Sequence, residues 1–278
     1  MRKKVVWVLV IALLGGGFLG WGSLAAAQSG TAAALPIAGK VILIDPGHGG
    51  MDPGKTGSQG EDEKAINLSI ATKLAAYLEM GGALVYMTRT EDETLGEGTK
   101  KEDMKLRAEQ IQELKPDLFV SIHQNSYTDS QLWGPQVFYH TDSQKSEALA
   151  AKVQEQLNIF TGSKRQYKEN ADYFILRQGQ DPGILVECGF LTNPEEEERL
   201  NEETYQKKIA WSIYSGMNAY LEEEENGNTM GEDGGSDSPA LSRPECGLSY
   251  GNRVWLGWLY WDGRRPAGDF PGQREAFG

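Results

Sequence analysis

The sequence predicts an α/β layer fold in which helices cover most of a β-sheet. From Lys40 onward, short apolar runs alternate with longer amphipathic segments, which is the order of strands and helices in such folds. Runs such as VILID (41–45) and GILVECGF (183–190) do not alternate between apolar and polar residues, so both faces of these strands are expected to be buried. Glycine and proline stand at several boundaries between the runs, as expected where elements begin or end.

The elements follow from these patterns in chain order. The first strand, VILID, precedes a helix over 65–80, in which isoleucine and leucine recur at mostly helical spacing until Gly81-Gly82 stops it. ALVYMTR (83–89) is the second strand. The remaining predicted elements are a helix at 101–114, the strand DLFVSIH at 117–123, a strand at 135–140, a helix at 147–160, the strand at 183–190 and a helix at 205–221.

The amino terminus carries an export signal. A basic start, Met1-Arg2-Lys3-Lys4, precedes a long uncharged apolar run, and Ala27 ends an A-x-A-like cleavage site. Because the run is just long enough to span a bilayer, residues 1–27 are predicted to be either a cleaved signal peptide or a retained membrane anchor. Both alternatives place the rest of the chain outside the cytoplasm. Residues 28–39 are small and are predicted to form a flexible linker.

The carboxyl-terminal part of the chain differs in composition from the rest. Residues 222–238 contain many acidic residues and no basic one, so they are predicted to be a disordered linker. Residues 239–278 contain the tryptophan-rich stretch VWLGWLYWDG but no repeat or motif. They are interpreted as an extension of unknown role.

Charge and cysteine content exclude some classes of protein. The net charge of −13 argues against a nucleic-acid partner, because affinity for a phosphate backbone comes mainly from lysine and arginine. Cys188 and Cys246 stand in very different settings and do not indicate a disulfide framework. Cys188 lies in an apolar run and is interpreted as a small buried hydrophobic residue.

The stretch VILIDPGHGGMDPGKTG (41–57) matches the phosphate-loop pattern G-x-x-x-x-G-K-[ST] from Gly49 to Thr56. Such a loop directs successive backbone N–H groups at phosphates and then opens a helix. Here Pro53 removes one N–H group, Asp52 adds a negative charge, and the next helix is expected near Glu63. The match is therefore interpreted as accidental.

Two histidines stand at equivalent places in the predicted sheet. His48 follows the first strand and His123 ends the third, so both lie at carboxyl ends of strands, where sites assemble in open α/β sheets. Imidazole nitrogens suit zinc, and a carboxylate would complete a two-histidine, one-carboxylate ligand set. Glu63, at the start of the first helix, is the best candidate, while Glu61 and Asp62 stay open.

Glu187 lies inside the apolar strand GILVECGF. A buried carboxylate without a partner costs several kcal/mol or takes up a proton. One interpretation is a buried ion pair; the other is a general base that acts on a metal-activated water. The neighbouring Cys188 points to the opposite face of the strand and is not expected to act as a nucleophile.

Four segments, DPGHGGMDPG, GEDEKAINL, SIHQNS and LVECGFLTNPEEEERL, resemble signature segments of the bacterial zinc-dependent N-acetylmuramoyl-L-alanine amidases, the Amidase_3 family. The resemblance covers about residues 40–221. It implies a single-domain, phosphorylase/hydrolase-like fold whose twisted, mostly parallel or mixed sheet has about six strands flanked by helices. It also implies that His48, Glu63 and His123 hold one zinc ion per chain and that Glu187 is the catalytic glutamate.

A narrower resemblance, in GALVYMTRTEDETLGEGTKKED and the short apolar N-terminal segment, is to the spore-cortex members of that family. It implies cleavage of peptidoglycan between N-acetylmuramic acid and the L-alanine of the stem peptide, as a step toward muramic-δ-lactam. The implied partners are a muramic acid deacetylase that acts on the product and an activating lipoprotein. The chain is expected to be a monomer in the cell wall or the forespore intermembrane space, anchored to the membrane or secreted.

Gln124 departs from the family pattern, because small or apolar residues are common at its position in SIHQNS. Two other functions stay open: a zinc peptidase that cuts within the stem peptide, and a non-catalytic wall-binding module. A module of the second kind would be expected to lack metal ligands, whereas all four residues are present here.

Overall fold

The computed structural model describes residues 34–96, 98–178 and 182–231. The strands are β1 (Val41–Pro46), β2 (Leu84–Met87), β3 (Leu118–Asn125), β4 (Gln136–Tyr139), β5 (Lys168–Glu169) and β6 (Gly183–Phe190). The helices are α1 (Glu63–Met80), α2 (Lys100–Leu114), α3 (Gln144–Thr161), α4 (Phe174–Gln178), α5 (Pro194–Asn201) and α6 (Glu203–Gly231).

The six strands form one sheet in the order β2-β1-β3-β6-β4-β5. Strand β1 pairs in parallel with β2 and β3, and β3 pairs in parallel with β6. Strand β4 runs antiparallel to β6 and parallel to β5. This mixed sheet flanked by helices confirms the predicted fold class. The carboxyl ends of β1, β3 and β6 therefore share one edge of the sheet, and β4 begins at that edge.

Helices cover both faces of the sheet, as the uninterrupted apolar strands predicted. In β1, Ile42 and Ile44 point into the larger core, which α1, α3 and α6 supply with buried residues. Leu43 points to the other face, into a smaller core with residues of α2 and α4. The smaller core leaves room for a cleft on the α2 and α4 side of the carboxyl edge.

Three short elements were not predicted from the sequence. Strand β5 has two residues and helix α4 has five, so neither is long enough to show a hydrophobic period. Helix α5 begins with Pro194 at its first turn, and the Asn193 side chain caps it by accepting from the backbone N–H groups of Glu195 and Glu196. This helix is almost entirely polar, so its sequence shows no apolar helical period and the helix was not predicted.

The chain departs from the predicted linkers at both ends of the described part. Helix α6 continues to Gly231, so the prediction of disorder from residue 222 is wrong for 222–231. Glutamate is a good helix former, and Glu223 forms an ion pair of 2.8 Å with Lys152 of α3. Near the amino terminus, Ile37 belongs to the predicted flexible linker but is fully buried in the larger core.

The predicted signal or anchor at 1–27 and the extension at 239–278 lie outside the described residues. Within the part that is described, no helix combines the length and the apolar character needed to cross a membrane.

Candidate active site

Three side chains from separate parts of the chain meet at the carboxyl edge of the sheet. His48 Nε2 lies 3.2 Å from Glu63 Oε1, and His123 Nδ1 lies 3.0 Å from the same oxygen. One ligand atom from each of the three residues lies within 4.8 Å of the others. Two imidazole nitrogens and a carboxylate oxygen at this spacing fit the ligand set of a catalytic zinc ion, which leaves coordination positions for water or substrate.

His48 is held in an unusual backbone conformation. Its φ of 60° lies in the left-handed region, which is uncommon for residues other than glycine. Arg107 Nη2 donates to the His48 carbonyl at 2.7 Å, and Asp52 Oδ2 lies 2.8 Å from the His48 ring Nδ1. The second ring nitrogen is thereby directed at Glu63. Burial favours a lower pKa for His48, but Glu63 and Asp52 outweigh burial and raise its pKa.

Glu63 is buried and receives hydrogen bonds on both carboxylate oxygens. The backbone N–H of Gln124 donates to Oε1 at 3.0 Å, and the backbone N–H of Lys55 donates to Oε2 at 2.9 Å. Burial alone raises the pKa of Glu63, but hydrogen bonds and charges from His123 and His48 outweigh burial and lower the pKa. Glu63 therefore stays an anion that can bind a cation.

The two other acidic candidates lie outside this cluster. Glu61 is exposed, and Asp62 accepts a hydrogen bond from Thr56 Oγ1 at 2.7 Å. The same region excludes a phosphate loop, because α1 begins at Glu63 and not at Thr56. The Lys55 N–H group, which a phosphate loop would direct at its ligand, instead donates to Glu63.

Glu187 stands beside the cluster on the neighbouring strand. It is the register partner of His123 in the parallel pair β3–β6, so both side chains project from the same face of the sheet. Tyr173 Oη donates to Glu187 Oε1 at 3.3 Å, while Oε2 is buried and has no hydrogen-bond partner among the described residues. Burial, reinforced by the negative charge of Glu63, raises the pKa of Glu187 to about 7. Cys188 is buried on the opposite face, in the larger core.

The family profile of the N-acetylmuramoyl-L-alanine amidases matches residues 42–219, which contain all four of these residues. This chain belongs to that family. The family resemblance predicted from the sequence is thereby confirmed.

Individual relatives agree with this assignment. The chain is 37% identical over 198 residues to the germination-specific N-acetylmuramoyl-L-alanine amidase of Bacillus subtilis, covering 68% of this chain and 83% of the relative. It is 32% identical to the N-acetylmuramoyl-L-alanine amidase LytC of the same organism, covering 66% of this chain and 36% of LytC. Among solved structures, the CwlD amidase of Clostridioides difficile, in complex with the GerS lipoprotein, superposes with a TM-score of 0.64 at 39% identity, covering 66% of this chain and 98% of that one.

A cleft in this amidase opens over the cluster on the α2 and α4 side of the sheet. His48, His123 and Glu187 contribute to its lining. Lys100 and Met104 of α2 form one wall, and Tyr173, Phe174 and Ile175 form another. A substrate bound in this cleft would therefore lie against His48, His123 and Glu187.

Two buried arginines support the floor of the amidase site. Arg107 Nη1 lies 2.6 Å from Asp45 Oδ1 and donates to the carbonyl of Pro46 at 2.8 Å. Arg89 donates to the carbonyls of Pro46 and Gly47 at 2.9 Å and 3.0 Å. These bonds hold the backbone that leads from β1 into His48. Burial alone raises the pKa of Asp45, but Arg107 and the Ser121 hydroxyl outweigh burial and lower it.

Gln124, the departure from the family pattern, lies behind the candidate ligands, and its Oε1 has no hydrogen-bond partner among the described residues. Its side chain is buried, and its Nε2 donates to Asn67 Oδ1 at 3.1 Å. Asn67 Nδ2 in turn lies 3.3 Å from Glu63 Oε1. Gln124 and Asn67 therefore form a polar link behind the candidate ligand Glu63.

Sequence reasoning missed Tyr173, Asp52 and Arg107 as parts of the site. Asp52 follows His48 by four residues within the glycine-rich loop, and this short spacing is a signal that could have been used. Tyr173 and Arg107 lie in segments without a motif, and only the fold brings them to the site.

Proposed function

We propose that this chain is a zinc-dependent enzyme that cleaves the amide between the lactyl group of N-acetylmuramic acid and the L-alanine of the stem peptide. The observation that carries the proposal is the convergence of His48, Glu63 and His123 beside the buried carboxylate of Glu187. Family membership supports the identity of the scissile bond.

His48, Glu63 and His123 would hold the ion, each through one ligand atom. Zinc, when bound, acts as a Lewis acid that polarises the scissile carbonyl and makes water acidic enough to lose a proton near neutral pH. Asp52 fixes the ring of His48 for this task, since its carboxylate lies 2.8 Å from Nδ1.

Glu187 would move the proton. Its Oε1 is occupied by the Tyr173 hydroxyl, so the unpartnered Oε2 accepts the proton that the attacking water loses. A C–O bond forms at the carbonyl carbon, the C–N bond breaks, and Glu187 passes the proton to the departing alanine nitrogen. The products are a free lactyl carboxylate and a stem peptide with a new amino terminus. In the metal-free chain, burial raises the pKa of Glu187 to about 7, which favours proton uptake by this carboxylate.

We place this activity in the spore cortex, where the product would be a substrate for a muramic acid deacetylase that forms muramic-δ-lactam. Similarity to a germination-specific amidase and to CwlD supports this role. The CwlD structure contains the GerS lipoprotein, which supports a lipoprotein as an activating partner of this chain. The predicted export signal supports action outside the cytoplasm, by an anchored or secreted enzyme.

The decisive experiment incubates the purified chain with peptidoglycan, with and without a chelator, and identifies the products by mass spectrometry. We expect free stem peptides that begin with L-alanine, and no release after zinc is removed. Shorter peptides would instead indicate a peptidase, and binding without any product would indicate a wall-binding module. Chelator-insensitive cleavage would contradict the role of zinc.

Glu187→Gln tests the role of Glu187, because glutamine has nearly the same size as glutamate but cannot accept the proton. We expect this variant to lose about 10²–10⁴-fold in turnover while it still binds zinc. Near-normal turnover would exclude Glu187 as the base.

A further inference from the structure

The segment between the glycine-rich loop and α1 forms a small closed loop, residues 55–62, that ends at the candidate ligand Glu63. Thr56 and Asp62 form an antiparallel bridge across its base. The backbone N–H of Glu63 donates to the Lys55 carbonyl at 2.9 Å, and the Lys55 N–H returns a bond to Glu63 Oε2 at 2.9 Å. The position of this loop therefore determines one of the two backbone N–H hydrogen bonds that the Glu63 carboxylate accepts.

The tip of the 55–62 loop is exposed, but a buried carboxylate holds it. Residues 58–61 are all exposed to solvent. Glu197, on α5, is fully buried and accepts from the backbone N–H groups of Ser58 and Gln59 at 2.9 Å and 2.8 Å, and also from the Ser58 hydroxyl. A side chain at Gly57 would collide with Glu197, because a Cβ there would overlap with Oε1.

We infer that Glu197 is a positioning residue for the metal site. It fixes the 55–62 loop, the loop holds the Lys55 N–H against Glu63, and Glu63 is thereby oriented toward His48 and His123. Helix α5 directly follows β6, so this contact connects the strand that carries Glu187 to the loop that orients a ligand. The inference rests on the proposed zinc site.

Glu196 provides a matched control within the same helix turn. It is also buried, and it also accepts from two backbone N–H groups, those of Gly134 and Phe190, at 2.8 Å each. Those groups belong to the segments next to β4 and at the end of β6, not to the 55–62 loop. Glu196→Gln therefore removes a comparable buried anchor without touching the 55–62 loop or the Lys55 N–H group that bonds Glu63.

The test measures the zinc affinity of the full chain by competition with a metal-binding dye, together with urea unfolding in the presence of a chelator. We expect Glu197→Gln to lose on the order of 10-fold in zinc affinity, the scale of losses seen when groups behind metal ligands are altered. Glu196→Gln should lose unfolding stability to a similar extent and keep the zinc affinity of the unsubstituted chain. Ser58→Ala, which removes only the hydroxyl contact, should show a smaller loss of zinc affinity.

Unchanged zinc affinity in a folded Glu197→Gln variant, or equal losses in Glu197→Gln and Glu196→Gln, would overturn the inference. If Glu197→Gln does not fold, Ser58→Ala tests the inference instead. Unchanged zinc affinity in Ser58→Ala would then overturn the inference. An unsubstituted chain that binds no zinc would overturn this inference together with the proposed metal site. Zinc binding without peptidoglycan cleavage would count against the proposed function alone.

Discussion

Glu187 combines three properties that a proton-transfer residue needs at the scale of a single side chain. It is buried, it stands next to His123 across the parallel pair, and one of its oxygens has no partner among the described residues. A carboxylate in such a place would be costly in a purely structural role. The cost is understandable if the free oxygen is used to take up and release a proton.

Tyr173→Phe is expected to lower kcat by about 10- to 100-fold, because it removes the hydrogen bond that orients the Glu187 carboxylate for proton transfer. KM and zinc affinity should change little, since the ring and its packing against Phe138 are retained. Steady-state kinetics on purified muropeptides would measure this. Tyr167→Phe is the control, because Tyr167 packs against Tyr139, and a similar loss of kcat there would contradict the assignment.

The raised pKa of Glu187 also predicts a pH dependence of stability in the zinc-free protein. Its pKa rises from an ordinary 4.5 to about 7 in the folded state, so the folded state binds this proton more tightly than the unfolded state does. The stabilising contribution is full below pH 4.5 and is lost as the pH rises through 7. Glu187→Gln cannot bind this proton. The unfolding free energy of this variant, relative to that of the unsubstituted chain, should therefore increase between pH 5 and 8, by at most about 3 kcal/mol.

Urea unfolding in chelator at several pH values would measure this difference. A constant difference between the two proteins across this range would show that Glu187 is not desolvated in solution.

At the scale of elements, β1 and α2 are connected through a buried ion pair. Arg107 of α2 contacts Asp45 of β1 at 2.6 Å and also bonds the carbonyl of His48. The long helices and buried strands were predictable because their apolar period is repeated many times. The pairing of Arg107 with Asp45 was not predictable, because nothing in the sequence around either residue identifies the other as its partner.

Arg107→Met is expected to lower the unfolding free energy by roughly 3–5 kcal/mol, because it leaves the Asp45 charge buried without its main partner. The double variant with Asp45→Asn should recover part of this loss, since the unpaired charge is then removed. Denaturant unfolding of the single and double variants would test this. Purely additive losses would indicate that the two residues do not interact energetically.

At the scale of the whole molecule, the candidate zinc ligands connect β1, α1 and β3. An ion that binds only the folded chain stabilises all three elements together. At free zinc about 100-fold above Kd, the expected gain in unfolding free energy is about 2.7 kcal/mol. Unfolding measured with zinc and with chelator should show this gain in the unsubstituted chain and not in His48→Ala. A gain of equal size in His48→Ala would place the zinc elsewhere.

By itself, the sequence determined which residue types stand at the ends of the buried strands, because apolar runs and the histidines that follow them are local patterns. From these it predicted the α/β class and His48 and His123 as candidate metal ligands. The resemblance of four segments to the amidase family then implied Glu63 as the third ligand and Glu187 as the catalytic glutamate. Only the tertiary structure decided the distances among these side chains and the contacts that hold them. Glu197 lies 139 residues from Ser58, for example, and such a contact exists only after the sheet has brought α5 beside the 55–62 loop. A contact between two residues that only the fold brings together cannot be predicted from the residues next to either of them in sequence.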